Sequence, residues 1–211
     1  MTRIILVRHG ESRANEMGLL AGHSNFELTE LGREQARETA EALGGEQVAA
    51  VYASDLVRAM ETAKPHAERR GLSVIPVREL REVYCGDFES LSFSYLDQNE
   101  PERYKKRLVE SFMTAELPGG ESVPEACDRF YAAVQEIAKR HEGKTVLIVA
   151  HGGVIRAFWA RICGTPTEIA TKKHPYPSNS SYSVVDYDGE HFLPVEFSHD
   201  AHLSTVTHLH I

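Results

Sequence analysis

The chain predicts an α/β fold, a three-layer sandwich with a mostly parallel central sheet flanked by helices, and a small helical lid inserted into it. Three observations carry that reading. Ile4-Ile5-Leu6-Val7 is an aliphatic run without polar alternation, the pattern of a strand covered on both faces. Thr145 to Ala150 repeats it, and both runs stop at His-Gly, His9-Gly10 and His151-Gly152. Helical patterns, not tight turns, separate the strand candidates through most of the chain, as parallel pairing requires. In such sheets ligands bind just beyond the strand carboxyl ends, so neighbouring strands would bring the two imidazoles to one mouth. A single histidine after a strand is more often a satisfied structural residue, and it is the repetition that favours a site.

The elements follow in order. Glu11 to Asn25 reads as loop with at most one short helix. Thr29 is placed to N-cap a helix carrying Leu31, Ala36, Ala40 and Leu43, which Gly44-Gly45 ends. Val48 to Tyr52 makes a second strand, after which Ser54 and Asp55 offer N-cap chemistry to a helix with Arg58 in its first turn. Pro65 is expected to break or kink that helix. Ser73 to Val77 is a third strand, running into the charged segment Arg78 to Glu82. From Val83 to Val123 aromatic and charged residues mix around prolines and glycines, which marks the lid insertion at about 83–123, helical over Glu102 to Met113. Pro124 to His141 is an amphipathic helix with Ala126, Phe130, Ala133, Val134 and Ile137 on one face. Another helix follows the strand ending at His151, and Asp188-Gly189 sits between two alternating runs as a hairpin turn.

Length and composition fit one globular domain over 1–211, able to bury roughly 70% of its unfolded surface. No apolar run approaches the roughly 20 residues of a membrane span, and three cysteines without CxxC spacing argue against disulfides and structural zinc. A cytoplasmic protein is expected, with no cofactor and no metal. The net charge of -8 argues against nucleic acid and membrane surfaces as partners. Oligomeric state is not legible, and a homodimer is compatible with the chain.

Arg8-His9-Gly10-Glu11-Ser12 resembles the signature of the histidine phosphatase superfamily, also called the phosphoglycerate mutase-like family. Asn15, Leu28-Thr29-Glu30-Leu31-Gly32, Ser54-Asp55-Leu56 with Arg58-Ala59, Leu80-Arg81-Glu82 and His151-Gly152-Gly153 are similar to the family's further blocks, in order. The resemblance implies a phosphatase acting on small-molecule phosphate monoesters. His9 would be the nucleophile that becomes phosphohistidine, and Glu82 the proton donor. Arg8, Arg58 and His151 would surround the phosphoryl oxygens, with Asn15 adding a hydrogen bond. The residue types suit that chemistry, because a phosphate dianion calls for guanidinium forks and a neutral imidazole is a competent nucleophile near pH 7. Gly86-Asp87-Phe88-Glu89-Ser90 departs from the family by ending in Ser rather than Gly, and Ala14 stands where mutases carry Trp.

Other readings stay open beside this one. Glu82 alone would be read as a surface ion pair with Arg78 or Arg81. A cofactor-dependent phosphoglycerate mutase shares the phosphohistidine step. A non-catalytic phospho-ligand binder would not require His9 and Glu82. A metal-dependent hydrolase is prompted by His191, His199, His202, His208 and His210, although no completed ligand set accompanies them.

Overall fold

A computed structural model describes residues 1–104 and 110–207. Its sheet has six strands in the order β3-β2-β4-β1-β5-β6, namely β1 Thr2–Arg8, β2 Val48–Ala53, β3 Val74–Pro76, β4 Thr145–Ala150, β5 Tyr182–Tyr187 and β6 Phe192–His199. The first four pair in parallel, whereas β5 runs antiparallel to β1 and β6 antiparallel to β5. The sheet is therefore mixed but mostly parallel, with the expected hairpin forming one edge.

Alternation along the buried strands sorts side chains into two cores. Ile4, Leu6, Tyr52, Val146 and Ile148 face one layer of helices, and Ile5, Val7, Val51, Leu147 and Val149 face the other. The first layer holds α5 (Val123–Arg140) and α6 (Gly152–Ile162), and the second α2 (Glu30–Ala42) and α3 (Val57–Glu68), while α1 (Arg13–Glu16), capped by Ser12, is the one short helix expected after β1. Thr29 caps α2 through Gly32 N, and Ser122 with Glu125 forms a capping box on α5. No helix among the described residues is long and apolar enough to cross a membrane.

Several local expectations need correcting. Pro65 does not end α3, which continues to Glu68, because Ala59, Ala63 and Ala67 are packed on the sheet. That burial outweighs the roughly 3 kcal/mol a mid-helix proline costs. Neither Ser54 nor Asp55 caps α3; its N-cap is Leu56, and Asn25 Oδ1 accepts from Val57 N at 2.8 Å. Two helices were not anticipated, α4 (Phe93–Asn99), capped by Ser92, and α7 (Thr167–Lys173). Of the helix expected over Glu102 to Met113, residues 105–109 with Lys105, Lys106 and Arg107 lie outside the described residues, as do His208 and His210; the described part is helical over 102–104 and ends in a 3-10 turn at Phe112–Thr114. Around that gap, Phe88, Leu96, Tyr104, Phe112, Met113 and Leu117 join the core that α5 and α6 share.

Candidate active site

The register that pairs Arg8 with Ala150 puts the next residue of each strand side by side. His9 N donates to Ala150 O at 3.0 Å, and the His9 and His151 rings meet edge-on with centroids 5.2 Å apart. His9 Nδ1 lies 2.7 Å from Gly10 O. A carbonyl only accepts, so Nδ1 carries the proton and Nε2 keeps its lone pair. Burial and the neighbouring Arg58 and Arg8 guanidiniums hold the His9 pKa well below the usual histidine value, so the ring is neutral at pH 7.

A cavity of about 330 Å³ is lined by His9 together with Arg8, Asn15, Arg58, Glu82 and Arg156, and by apolar Leu19, Leu20, Phe93, Phe112 and Leu117. Arg58 is fixed by two backbone carbonyls, Ser24 O and Gly22 O, both at 2.8 Å. Burial pulls its pKa down to about 10, which leaves it cationic. Arg8 donates to Pro177 O and stacks against the Tyr176 ring at 5.1 Å. On both arginines Nε is buried without a partner among the described residues. His151 is one layer back from the cavity, fully buried. Ser54 Oγ lies 2.8 Å from its Nε2, and its Nδ1 is also buried without a partner among the described residues. Desolvation, then Arg58, keeps this ring neutral too.

Glu82 is not the surface ion pair the sequence allows, since Arg81 forks onto Asp55 at 2.6 and 2.7 Å. Its carboxylate instead meets the start of α6, accepting from Gly153 N at 2.9 Å and Val154 N at 3.0 Å, and from Tyr176 OH at 3.3 Å. Those amides are orphan donors of a helix N-terminus, so the side chain is held at the cavity wall. Asn15 Oδ1 is occupied by Ser12 N and Asn179 Nδ2, at 3.0 and 3.1 Å, which turns its amide nitrogen toward other uses. Thus Arg8, His9, Asn15, Arg58 and Glu82 share one cavity, with His151 directly behind it.

Three contributors were not anticipated: Tyr176, Asn179, which donates to His9 O at 3.2 Å, and Arg156. All lie beyond the strand that carries His151, and only the Pro175-Tyr176-Pro177 punctuation before β5 marks the first two. No group of three or more His, Cys, Asp or Glu among the described residues could hold a metal ion. His199 is engaged with Glu196 at 2.8 Å and His202 with Thr39 at 2.9 Å.

Known proteins are similar to this chain in sequence and in fold. The sequence profile of the histidine phosphatase superfamily (branch 1) matches residues 4–200. The chain is 38% identical over 209 residues to a metal-independent phosphoserine phosphatase of Arabidopsis thaliana, covering 98% of this chain and 85% of that protein. It is 40% identical over 161 residues to phosphoglycerate mutase-like protein 4 of the same plant, covering 75% and 70% of the two chains. A mycobacterial glucosyl-3-phosphoglycerate phosphatase, solved with VO3, superposes with a TM-score of 0.86 at 29% identity, covering 94% of this chain and 99% of its own.

Proposed function

Because the chain belongs to branch 1 of the histidine phosphatase superfamily, we propose that it is a phosphatase hydrolysing small-molecule phosphate monoesters through a phosphohistidine on His9. The observation that carries this reading is a pair of buried donors without partners among the described residues, Arg8 Nε and Arg58 Nε, together with the equally unpartnered His151 Nδ1, near a neutral imidazole whose Nε2 keeps its lone pair. Buried polar groups are normally satisfied, so orphaned donors beside a nucleophile call for an anionic group with several oxygens.

In the first step His9 Nε2 attacks phosphorus and the P–O bond to the alcohol breaks, while the Glu82 carboxyl gives its proton to the departing oxygen. Water then attacks the phosphohistidine, passes its proton to Glu82, and the N–P bond breaks to release inorganic phosphate. Phosphoryl transfer has a loose transition state, so charge from Arg8 and Arg58 and positioning by these residues and His151 supply most of the acceleration. Asn15 adds a donor from its amide nitrogen. Within a single domain, the insertion at about 83–123 acts as a lid, and its Phe93, Phe112 and Leu117 supply part of the cavity wall.

Turnover of p-nitrophenyl phosphate in excess EDTA tests the reading. Wild type is expected to release phosphate undiminished by the chelator, His9→Ala to release none, and wild type quenched in alkali to carry a base-stable phosphoryl group that acid removes. Activity retained in His9→Ala would remove that residue from the mechanism.

A further inference from the structure

The cavity holds a third guanidinium that phosphate chemistry at His9 does not use. Arg156 extends from α6, is 7% exposed, and lines the same cavity as His9. Its hydrogen-bond partners among the described residues are backbone carbonyls: Nε donates to His174 O at 2.7 Å and Nη2 to Thr171 O. With that edge occupied, Nη1 and the second N–H of Nη2 form the free end of the fork, the geometry that grips a carboxylate through two parallel bonds. Beside it, Thr171 lines the cavity with an Oγ1 that is buried and has no partner among the described residues. Phe112 covers the guanidinium at 5.4 Å, and Tyr176, whose ring stacks on Arg8 at 5.1 Å, lies 5.9 Å from Arg156. The two cationic ends of the cavity therefore share one aromatic ring.

Charge balance gives this arrangement a purpose. When Glu82 carries the proton needed by the leaving group, Arg8, Arg58 and Arg156 face the cavity and a phosphate dianion offsets two of them. One buried positive charge is left, and an uncompensated buried charge is costly.

Resting on the phosphatase reading, we propose that Arg156 and Thr171 form a second anion subsite, and that the substrate is a small phosphate monoester whose alcohol part bears a carboxylate. Leu19, Leu20 and Phe93 contact the short carbon body between its two anionic ends. A cavity of about 330 Å³ is at the small end of ligand pockets, which suits a body of a few carbons.

The test measures binding without turnover, by calorimetry on the full-length His9→Ala protein. The paired probes are 3-phosphoglycerate and glycerol 3-phosphate, which differ in whether a carboxylate or a hydroxymethyl group ends the carbon chain. The carboxylate probe is expected to bind at least about tenfold more tightly, the scale of one charge-assisted fork. Adding Arg156→Met, which keeps an apolar stem, is expected to bring the two probes within about threefold of each other, and Arg156→Lys to restore part of the preference. Equal affinities in the starting protein would overturn the proposal. So would an Arg156→Met protein that weakens both probes alike and keeps the preference, because Arg156 would then only position the 171–176 segment. Should Arg156→Met fail to fold, Thr171→Val supplies the second variant: an unchanged preference there overturns the pairing of the two residues. Failure of the phosphatase reading registers elsewhere, as absent phosphate release from p-nitrophenyl phosphate by the wild type.

Discussion

At the residue scale the assignment most open to test is Glu82. Glu82→Gln keeps an acceptor oxygen for the α6 amides and removes the transferable proton. General acid catalysis contributes about 10²–10⁴-fold where the leaving group is a poor one. Glu82→Gln is therefore expected to slow an alkyl phosphate by at least about 100-fold and p-nitrophenyl phosphate by less than about tenfold. Equal slowing of both in steady-state assays would transfer the role to another carboxylate. Single residues also show where reading a sequence stops. The Arg-His-Gly strand end was legible, since an aliphatic run halting at those types is a local signal. Ser54 was legible only as a cap, because its bond to His151 spans 97 residues of chain. Ser90 answers the question its departure from glycine raised: the turn keeps its left-handed backbone with φ 64°, and the strain falls on serine.

At the element scale, two glycines at helix starts separate stability from activity. A Cβ on Gly32, in the first turn of α2, would stand 2.0 Å from Glu11 O, a backbone atom that cannot move alone. A Cβ on Gly153, in the first turn of α6, would stand 2.6 Å from Glu82 Oε1, which a side-chain rotation relieves. Gly32→Ala is thus expected to lose about 2–3 kcal/mol of stability in urea melts, the scale of overpacking. Gly153→Ala is expected to melt within about 1 kcal/mol of wild type, since a rotamer shift costs that much, while alkyl phosphate turnover falls. The reverse ranking would mean that Glu82 is not anchored by α6. Helices and strands with clear periodicity were readable in the chain, whereas α7 is short and mostly polar, with only Ala170 buried, and gave no period to detect. Arg156 was hidden for a related reason, as one of two arginines on an otherwise apolar helix, bonded to the backbone carbonyls of Thr171 and His174, which belong to no motif.

At the scale of the whole molecule, buried neutral histidines tie stability to pH. His66 on α3 has no partner on either ring nitrogen among the described residues, and burial drives its pKa from 6.5 down to about 3. Below 6.5 the unfolded chain binds a proton that the folded chain refuses, so this contribution is full above 6.5 and is lost as pH falls toward 3. His66→Leu is expected to make the pH dependence of urea unfolding shallower by about 1.4 kcal/mol per unit below pH 6.5. An unaltered slope would show that the ring is protonated in the fold.

The fate of the phosphoenzyme also belongs to the molecule as a whole, since mutases and phosphatases differ in whether water or a retained alcohol takes the group. A mutase must shelter the phosphohistidine and grip its intermediate from several sides. Here Arg103, one of the basic residues of the inserted segment, turns outward to Glu100 at 3.5 Å, and Ala14, where the family resemblance would put a tryptophan in a mutase, is fully buried. A carboxylate held at the proposed Arg156 and Thr171 subsite would anchor a substrate at one end without enclosing it. Hydrolysis is therefore expected to dominate when the enzyme is given 3-phosphoglycerate with a catalytic amount of 2,3-bisphosphoglycerate. Inorganic phosphate should accumulate well ahead of 2-phosphoglycerate, and rapid isomerisation with little phosphate released would make the protein a mutase that retains its carboxylate subsite.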